Sequence, residues 1–169
     1  MRDVRWVVYI AIRVVANTAV TMELQFCKVK CSSNTKKTVK NSIRRNERGF
    51  IILGSATDPY PTVEKDLKLT REILGIIKRF RFPLHLLTKS TMLTRDIDIL
   101  KGINEVAILP SEFEDKLDCG VIISFPFSTL NEEIARILEP GAPSPIKRLE
   151  TMKEFNDAGF KTGIITFHS

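Results

Sequence analysis

Cysteine is scarce and odd in number, three in 169 residues. Disulfide-stapled domains carry cysteine at much higher density and in even sets. That scaffold class is excluded, and a reducing, cytoplasmic setting is expected. Eight glycines and eight prolines are too few for collagen-like or low-complexity chains. Long apolar runs are also missing. A membrane-spanning helix needs about 20 consecutive apolar residues, and the best stretch, Trp6 to Val20, is interrupted by Arg13 and Asn17. No membrane partner is expected. The same stretch imitates the start of a signal peptide, but Arg13 breaks the apolar run and no good small-residue cleavage site follows. Histidine is limited to His85 and His168. His85 falls inside a strand-like run, where a hydrogen-bonded core histidine is the default, and no Cys, Asp or Glu near His168 completes a metal set with it.

What is present is globular: 43% hydrophobic and 27% charged residues, on a length that suits one domain. The net charge of +6 is unevenly spread. Between Cys27 and Arg48 stand eight basic residues (Lys28, Lys30, Lys36, Lys37, Lys40, Arg44, Arg45, Arg48) and one acid, Glu47, so this segment alone carries +7. It reads either as a solvated helix face or as a patch for nucleic acid.

After residue 49 a unit repeats. Phe50-Ile51-Ile52-Leu53, Leu84-His85-Leu86-Leu87, Val121-Ile122-Ile123 and Gly163-Ile164-Ile165 are short apolar runs that start near residues 50, 84, 120 and 162. Such runs suit strands of a parallel sheet, apolar on both faces. The segments between them read as helices. Thr62 to Phe80 carries an apolar stripe at Leu69, Ile73, Ile76 and Phe80, with Thr62 as cap and Glu64 in the first turn. Arg95 to Ile103 is a shorter helix. Thr129-Leu130-Asn131-Glu132 has capping-box spacing and opens a helix through Leu138. Ser144-Pro145 starts another, and Gly159 ends it. Alternating βα units predict an α/β fold with a parallel sheet, closed or open, whose site lies at the C-terminal strand ends. Four loops then line that end: Gly54 to Tyr60, Thr88-Lys89-Ser90, Ser124 to Ser128, and Thr166 with His168. Nothing follows the last strand-like run, so its edge and one face are expected to be uncovered. Cys119, at a strand start away from that end, is expected to be an ordinary small residue. Phe125 and Phe127 read as core packing or as a base-stacking wall.

Five phrases recur in a fixed order: Gly54-Ser55-Ala56-Thr57-Asp58-Pro59-Tyr60-Pro61 with Glu64, Leu87-Thr88-Lys89-Ser90, Arg95-Asp96, Leu138-Glu139-Pro140-Gly141-Ala142-Pro143-Ser144-Pro145 with Arg148-Leu149-Glu150, and Asn156-Asp157-Ala158-Gly159-Phe160. Together they resemble the spore photoproduct lyase-like (DNA repair photolyase-like) branch of the radical S-adenosylmethionine enzymes, over residues 48 to 169. The resemblance implies a partial (β/α) barrel of the radical SAM type in residues 26–169, behind an atypical segment 1–25. It implies S-adenosylmethionine and a [4Fe–4S] cluster as cofactors, with reductive cleavage of S-adenosylmethionine to a 5′-deoxyadenosyl radical. In spore photoproduct lyase itself the substrate is a thymine dimer in DNA.

The resemblance also implies roles at the rim. Lys89 would pair its ammonium with the carboxylate of S-adenosylmethionine. Asp58 would accept hydrogen bonds from the amino group or ribose, or would cap the next helix through an Asx-turn; Ser55 and Thr57 share that ambiguity. Ser124 is a pocket donor if strand parity turns it inward. Arg148 reaches a carboxylate or phosphate, or pairs with Glu139 or Glu150.

The cluster loop is the departure. The family needs C-x₃-C-x₂-C, because three thiolates hold three irons and leave the fourth open. Cys27-Lys28-Val29-Lys30-Cys31 matches the first spacing, but residue 34 is Asn34. Phe26 to Asn34 reads better as a second-strand lead-in, with Cys27 and Cys31 as plain thiols beside it. The cluster loop then belongs upstream, where Met1 to Val20 holds no cysteine. The expectation is an incomplete or inactive form of the enzyme. The alternatives are a non-catalytic half-barrel that binds nucleic acid through residues 28–48, and a cluster-free barrel enzyme using Lys89 and Asp58 on a phosphorylated substrate.

Overall fold

A computed structural model describes residues 12–15, 36, 37, 40, 41 and 49–166. They build one five-stranded sheet in the order β1-β2-β3-β4-β5. The strands are β1 (Ile12–Val15), β2 (Phe50–Leu53), β3 (Leu84–Leu87), β4 (Val121–Phe127) and β5 (Lys161–Thr166). β2 to β5 are parallel, with Leu53 beside Leu86, Leu86 beside Ile123, and Ile123 beside Thr162. All four expected strands are present, in sequential order, with helices between them. The fifth was not foreseen: β1 runs antiparallel to β2, Ile12 facing Leu53 and Val15 facing Phe50. It falls in the segment read as atypical. The strand expected around Phe26 to Asn34, with Cys27 and Cys31, lies outside the described residues, as do most of the basic segment and His168.

Alternation along each strand sets the core. Ile51, Leu53, Leu84, Leu86, Val121, Ile123 and Phe125 are fully buried. They share one cluster with Ile73, Leu74 and Ile77 of α2 (Leu69–Phe80), Leu100 and Ile103 of α3 (Ile97–Val106), and Phe155 of α6 (Pro145–Asp157). The alternate residues Ile52, His85, Leu87 and Ile122 are only half-buried. Ile164 of β5 is 51% exposed.

The helices depart from expectation in instructive ways. Thr62 to Phe80 is two helices, α1 (Glu64–Leu67) and α2, hinged at Lys68 in the left-handed region (φ 51°). Thr62 makes no capping side-chain bond. Glu64 caps the second helix instead: Thr70 N donates to Glu64 Oε1 at 3.0 Å. The next helix begins as a 3₁₀ turn at Met92–Asp96 and continues as α3 through Val106. A four-residue helix not read from the sequence, α4 (Ser111–Glu114), sets Phe113 edge-on against Phe50. The cap of α5 (Glu132–Leu138) is Asn131, whose Oδ1 accepts from Glu133 N and Ile134 N; Thr129 only turns the chain before it. Ser144 caps α6 with Pro145 in its first turn, and Gly159 follows its end at φ 89°, as expected.

β4 is four residues longer than the apolar run suggested. Ser124 to Phe127 were expected in a loop and instead pair along β5. Pro126 is tolerated because the β3 partner ends opposite Ser124. Ser124 O still accepts from Thr88 N; two residues on, the missing N–H of Pro126 falls on the side where β3 has stopped.

Candidate functional site at the C-terminal strand ends

Gly54 makes the site possible. It leaves β2 at φ +98°, and a Cβ there would sit 2.0 Å from Leu87 O. The loop after β2 can therefore press against the end of β3 only with glycine at this position. The close approach delivers Asp58 to β3. Asp58 Oδ1 accepts from Tyr60 N at 2.9 Å and from Thr88 Oγ1 at 2.7 Å, and Oδ2 accepts from Lys89 N at 2.7 Å. The Asx-turn role is thus present, and the same carboxylate ties two loops that are 30 residues apart.

Beside this tie opens a cavity of about 670 Å³, lined by Asp58, Tyr60, Lys65, Lys89, Ser90, Met92 and the Gly141–Pro143 turn. Its size falls in the range of small-molecule sites, roughly 300–1,000 Å³. Lys89 sits at its edge, 37% exposed, with Nζ 2.9 Å from Glu139 Oε1. Ser128 Oγ donates to the same oxygen at 2.6 Å. Glu139 Oε2 accepts from Arg148 Nη2 at 2.5 Å, and Arg148 Nη1 donates to Pro126 O at 2.6 Å. Arg148 is fully buried, stacked over the Phe127 ring at 4.7 Å, and its Nε has no partner among the described residues. Burial works to raise the Glu139 pKa, but the bonds from Ser128, Lys89 and Arg148 outweigh it and hold the carboxyl at about 2. Glu139 and Arg148 also line a smaller cavity of about 180 Å³ below the start of α6. Of the two readings of Arg148, the structure has the pairing with Glu139.

A second ionic cluster supports the rim from behind. The Asp96 side chain is fully buried and takes Arg71 Nη1 at 3.0 Å, Arg95 Nη2 at 2.9 Å and the Tyr60 hydroxyl at 3.2 Å. Arg95 Nη2 also reaches Glu64 Oε1 at 3.0 Å. Burial first, then the Asp96 charge, pushes the Tyr60 phenol well up, so Tyr60 stays a neutral donor. Its ring lines the cavity and its hydroxyl is fixed below.

The other expected site residues fall elsewhere. Ser55 and Thr57 are exposed on the loop outside the cavity lining. Ser124 is 5% exposed, and its Oγ lies 2.8 Å from His85 Nε2 rather than in the cavity. Burial lowers the His85 pKa, which keeps that ring neutral at pH 7. Phe125 and Phe127 are buried in the core, not set out as a stacking wall. Cys119 is 6% exposed at the opposite end of β4, and burial first, then the Asp118 charge, raises its pKa. The sequence reading had Tyr60 and Ser90 in its rim loops but missed Met92 and the Gly141–Pro143 turn. The turn stood within the fourth quoted phrase; Met92 lay between the second and third and carried no signal.

The resemblance implies two cofactors, a cluster and S-adenosylmethionine. A [4Fe–4S] cluster needs thiolates, and no group of three His, Cys, Asp or Glu that could hold a metal occurs among the described residues. Asp58 and Glu139, the carboxylates at the rim, are already engaged by three partners each. The described residues do not fit the cluster. The cavity and the partly exposed Lys89 ammonium offer space and a positive charge for a small anionic ligand.

Fold and site together define an α/β protein whose parallel strands end in an ion-paired cavity. Its similarities are to uncharacterized proteins. One from Methanocaldococcus jannaschii is 32% identical over 128 residues, 76% of this chain and 42% of the relative. One from Acidianus two-tailed virus is 29% identical over 133 residues, 78% of this chain and 39% of the relative. One from Mycobacterium bovis is 28% identical over 129 residues, 75% and 34% respectively. The chain thus spans at most about two fifths of the length of these relatives. No family model matches, and no solved structure matches.

Proposed function

We propose that the chain is part of a radical S-adenosylmethionine enzyme of the spore photoproduct lyase-like branch, folded as a segment of a (β/α) barrel whose rim holds S-adenosylmethionine. One observation carries the reading. Three of the five quoted phrases, far apart in sequence, meet around one cavity: Asp58 of the first, Lys89 and Ser90 of the second, and Gly141–Pro143 of the fourth. Arg95-Asp96, the third, braces Tyr60 from behind. Sequential parallel strand order supports a barrel segment over a doubly wound sheet.

In this reading Lys89 binds the ligand's carboxylate, and Asp58 keeps Lys89 and the Gly54–Tyr60 loop in register. The apolar part of Met92 and the Tyr60 ring exclude water from one wall. The cluster, when bound in members of the branch, supplies the electron that cleaves S-adenosylmethionine; the described residues supply no thiolates for it at the rim. In this reading the rim binds S-adenosylmethionine, and a sequence without the C-x₃-C-x₂-C motif does not cleave it.

Calorimetry with S-adenosylmethionine, beside anaerobic iron and sulfide reconstitution, tests both halves. Saturable binding that weakens at least tenfold in Lys89→Met, with bound iron well below four per chain, is the expected result. Absence of binding removes the reading. Near four irons per chain, lost in Cys27→Ala/Cys31→Ala, with reductive cleavage, restores radical chemistry to this chain and overturns the reading of Cys27 and Cys31 as plain thiols.

The +7 charge of residues 27–48 favours a second reading, a half-barrel that binds nucleic acid. For four neutralised phosphates, duplex affinity should fall on the order of 10²-fold between about 50 and 200 mM salt. Salt-insensitive or absent binding removes it.

A further inference from the structure

We infer that Glu139 is a positioning residue, which holds the Lys89 ammonium at the cavity edge for the anionic end of the ligand. The inference takes from the proposed function only the identity of that ligand. Glu139 cannot easily turn: its side chain is 3% exposed, Arg148 and Ser128 hold it, and Arg148 is itself anchored on Pro126 O. Only one Lys89 N–H is needed for Oε1, so two remain for a ligand. The charges of Arg148, Lys89 and Glu139 add to +1, and Arg148 is sealed from solvent. The uncompensated charge is therefore presented by the half-exposed Lys89, which selects a carboxylate or phosphate. A lysine on a free stem samples many rotamers; one tethered at its tip has already lost that freedom and meets the anion at lower entropic cost.

The test uses the full chain labelled with ¹⁵N-lysine. The Lys89 ammonium cross-peak is assigned with Lys89→Arg. Affinities are measured for S-adenosylmethionine and for 5′-methylthioadenosine, which lacks the carboxylate. Glu139→Asp keeps the charge and shortens the reach. It should broaden the Lys89 peak and cut the preference for S-adenosylmethionine over methylthioadenosine by about tenfold, the loss of one charge-assisted hydrogen bond. Methylthioadenosine affinity should stay unchanged. Ser128→Ala, at an exposed position, loosens Glu139 without burying an unpaired charge and should shift both readouts in the same direction by less; it decides the matter if Glu139→Asp does not fold. A wild-type peak and preference in the variants overturns the inference. So does parallel weakening of both ligands, which marks a structural role only. If the wild-type chain binds neither nucleoside, the proposed cofactor is wrong. Inorganic phosphate then decides: a Lys89 shift that Glu139→Asp abolishes upholds the inference, and no shift overturns it.

Discussion

Asp58 shows how one side chain can serve both the fold and the site. Its carboxylate accepts two backbone N–H groups and one hydroxyl, each at 2.7 to 2.9 Å. Bonds of this charge-assisted kind contribute about 1.5–3 kcal/mol each when the acceptor is well placed. Asp58→Ala leaves Lys89 N and the Thr88 hydroxyl without their acceptor, and is expected to cost about 2–4 kcal/mol of unfolding free energy. Under the proposed function it should also weaken S-adenosylmethionine binding, because the two loops that line the cavity lose their tie. Urea unfolding together with ligand titration checks both. Unchanged stability would mean that water replaces the carboxylate without loss. The sequence left Asp58 divided between cap and ligand because an Asx-turn is a local pattern, whereas its partners just after β3, Thr88 and Lys89, lie about 30 residues away. Ser124 is the opposite case. Its position after an apolar run suggested a loop, but β4 continues past it and His85 takes its hydroxyl. Strand parity over three residues could not have decided that.

Helices and strands were legible where periodicity is strong, and misread where a tertiary partner overrides it. The apolar stripe through Leu69, Ile73, Ile76 and Phe80 marks α2 correctly. The break at Lys68 was hidden, because nothing in the residue type favours φ 51° there. It is set by Glu64, whose Oε1 turns back to cap α2 while also accepting from Arg95 Nη2. The capping-box spacing at Thr129 failed for a related reason: Asn131, one residue before the helix, reaches two N–H groups by itself. Lys68 and Gly54, both at positive φ, predict opposite effects of substitution. Lys68→Gly relieves a strained, exposed residue and is expected to raise stability by about 0.5–1 kcal/mol. Gly54→Ala meets both a positive φ and Leu87 O, and is expected to lower it by more than about 2 kcal/mol. Thermal unfolding of the two single variants makes the comparison. Equal and small effects would show that the β2 loop is free to move away from β3.

The whole molecule places its buried charge next to its cavity, and that placement gives it a pH signature. The parallel sheet was readable from the spacing of apolar runs, because both faces of such a strand carry apolar residues. The charge network was not, since Arg148, Glu139 and Lys89 are brought together by the return of α6 over β4. Glu139 has an ordinary carboxyl value near 4.3 when unfolded, and about 2 when folded. Because the folded value is the lower one, its contribution is fully present above about pH 4.3 and is lost as pH falls toward 2. The difference corresponds to an amount of order 3 kcal/mol. Glu139→Leu/Arg148→Met removes both buried charges together, so it avoids the cost of leaving one unpaired. Its stability at pH 7 should lie within a few kcal/mol of wild type, and its decline between pH 4.3 and 2 should be shallower by that amount. Urea midpoints measured across the range for both proteins decide the point. Parallel curves would show that Glu139 titrates alike in the folded and unfolded chains. The network would then be a crowded but energetically neutral contact, rather than the clamp that fixes Lys89 at the cavity edge.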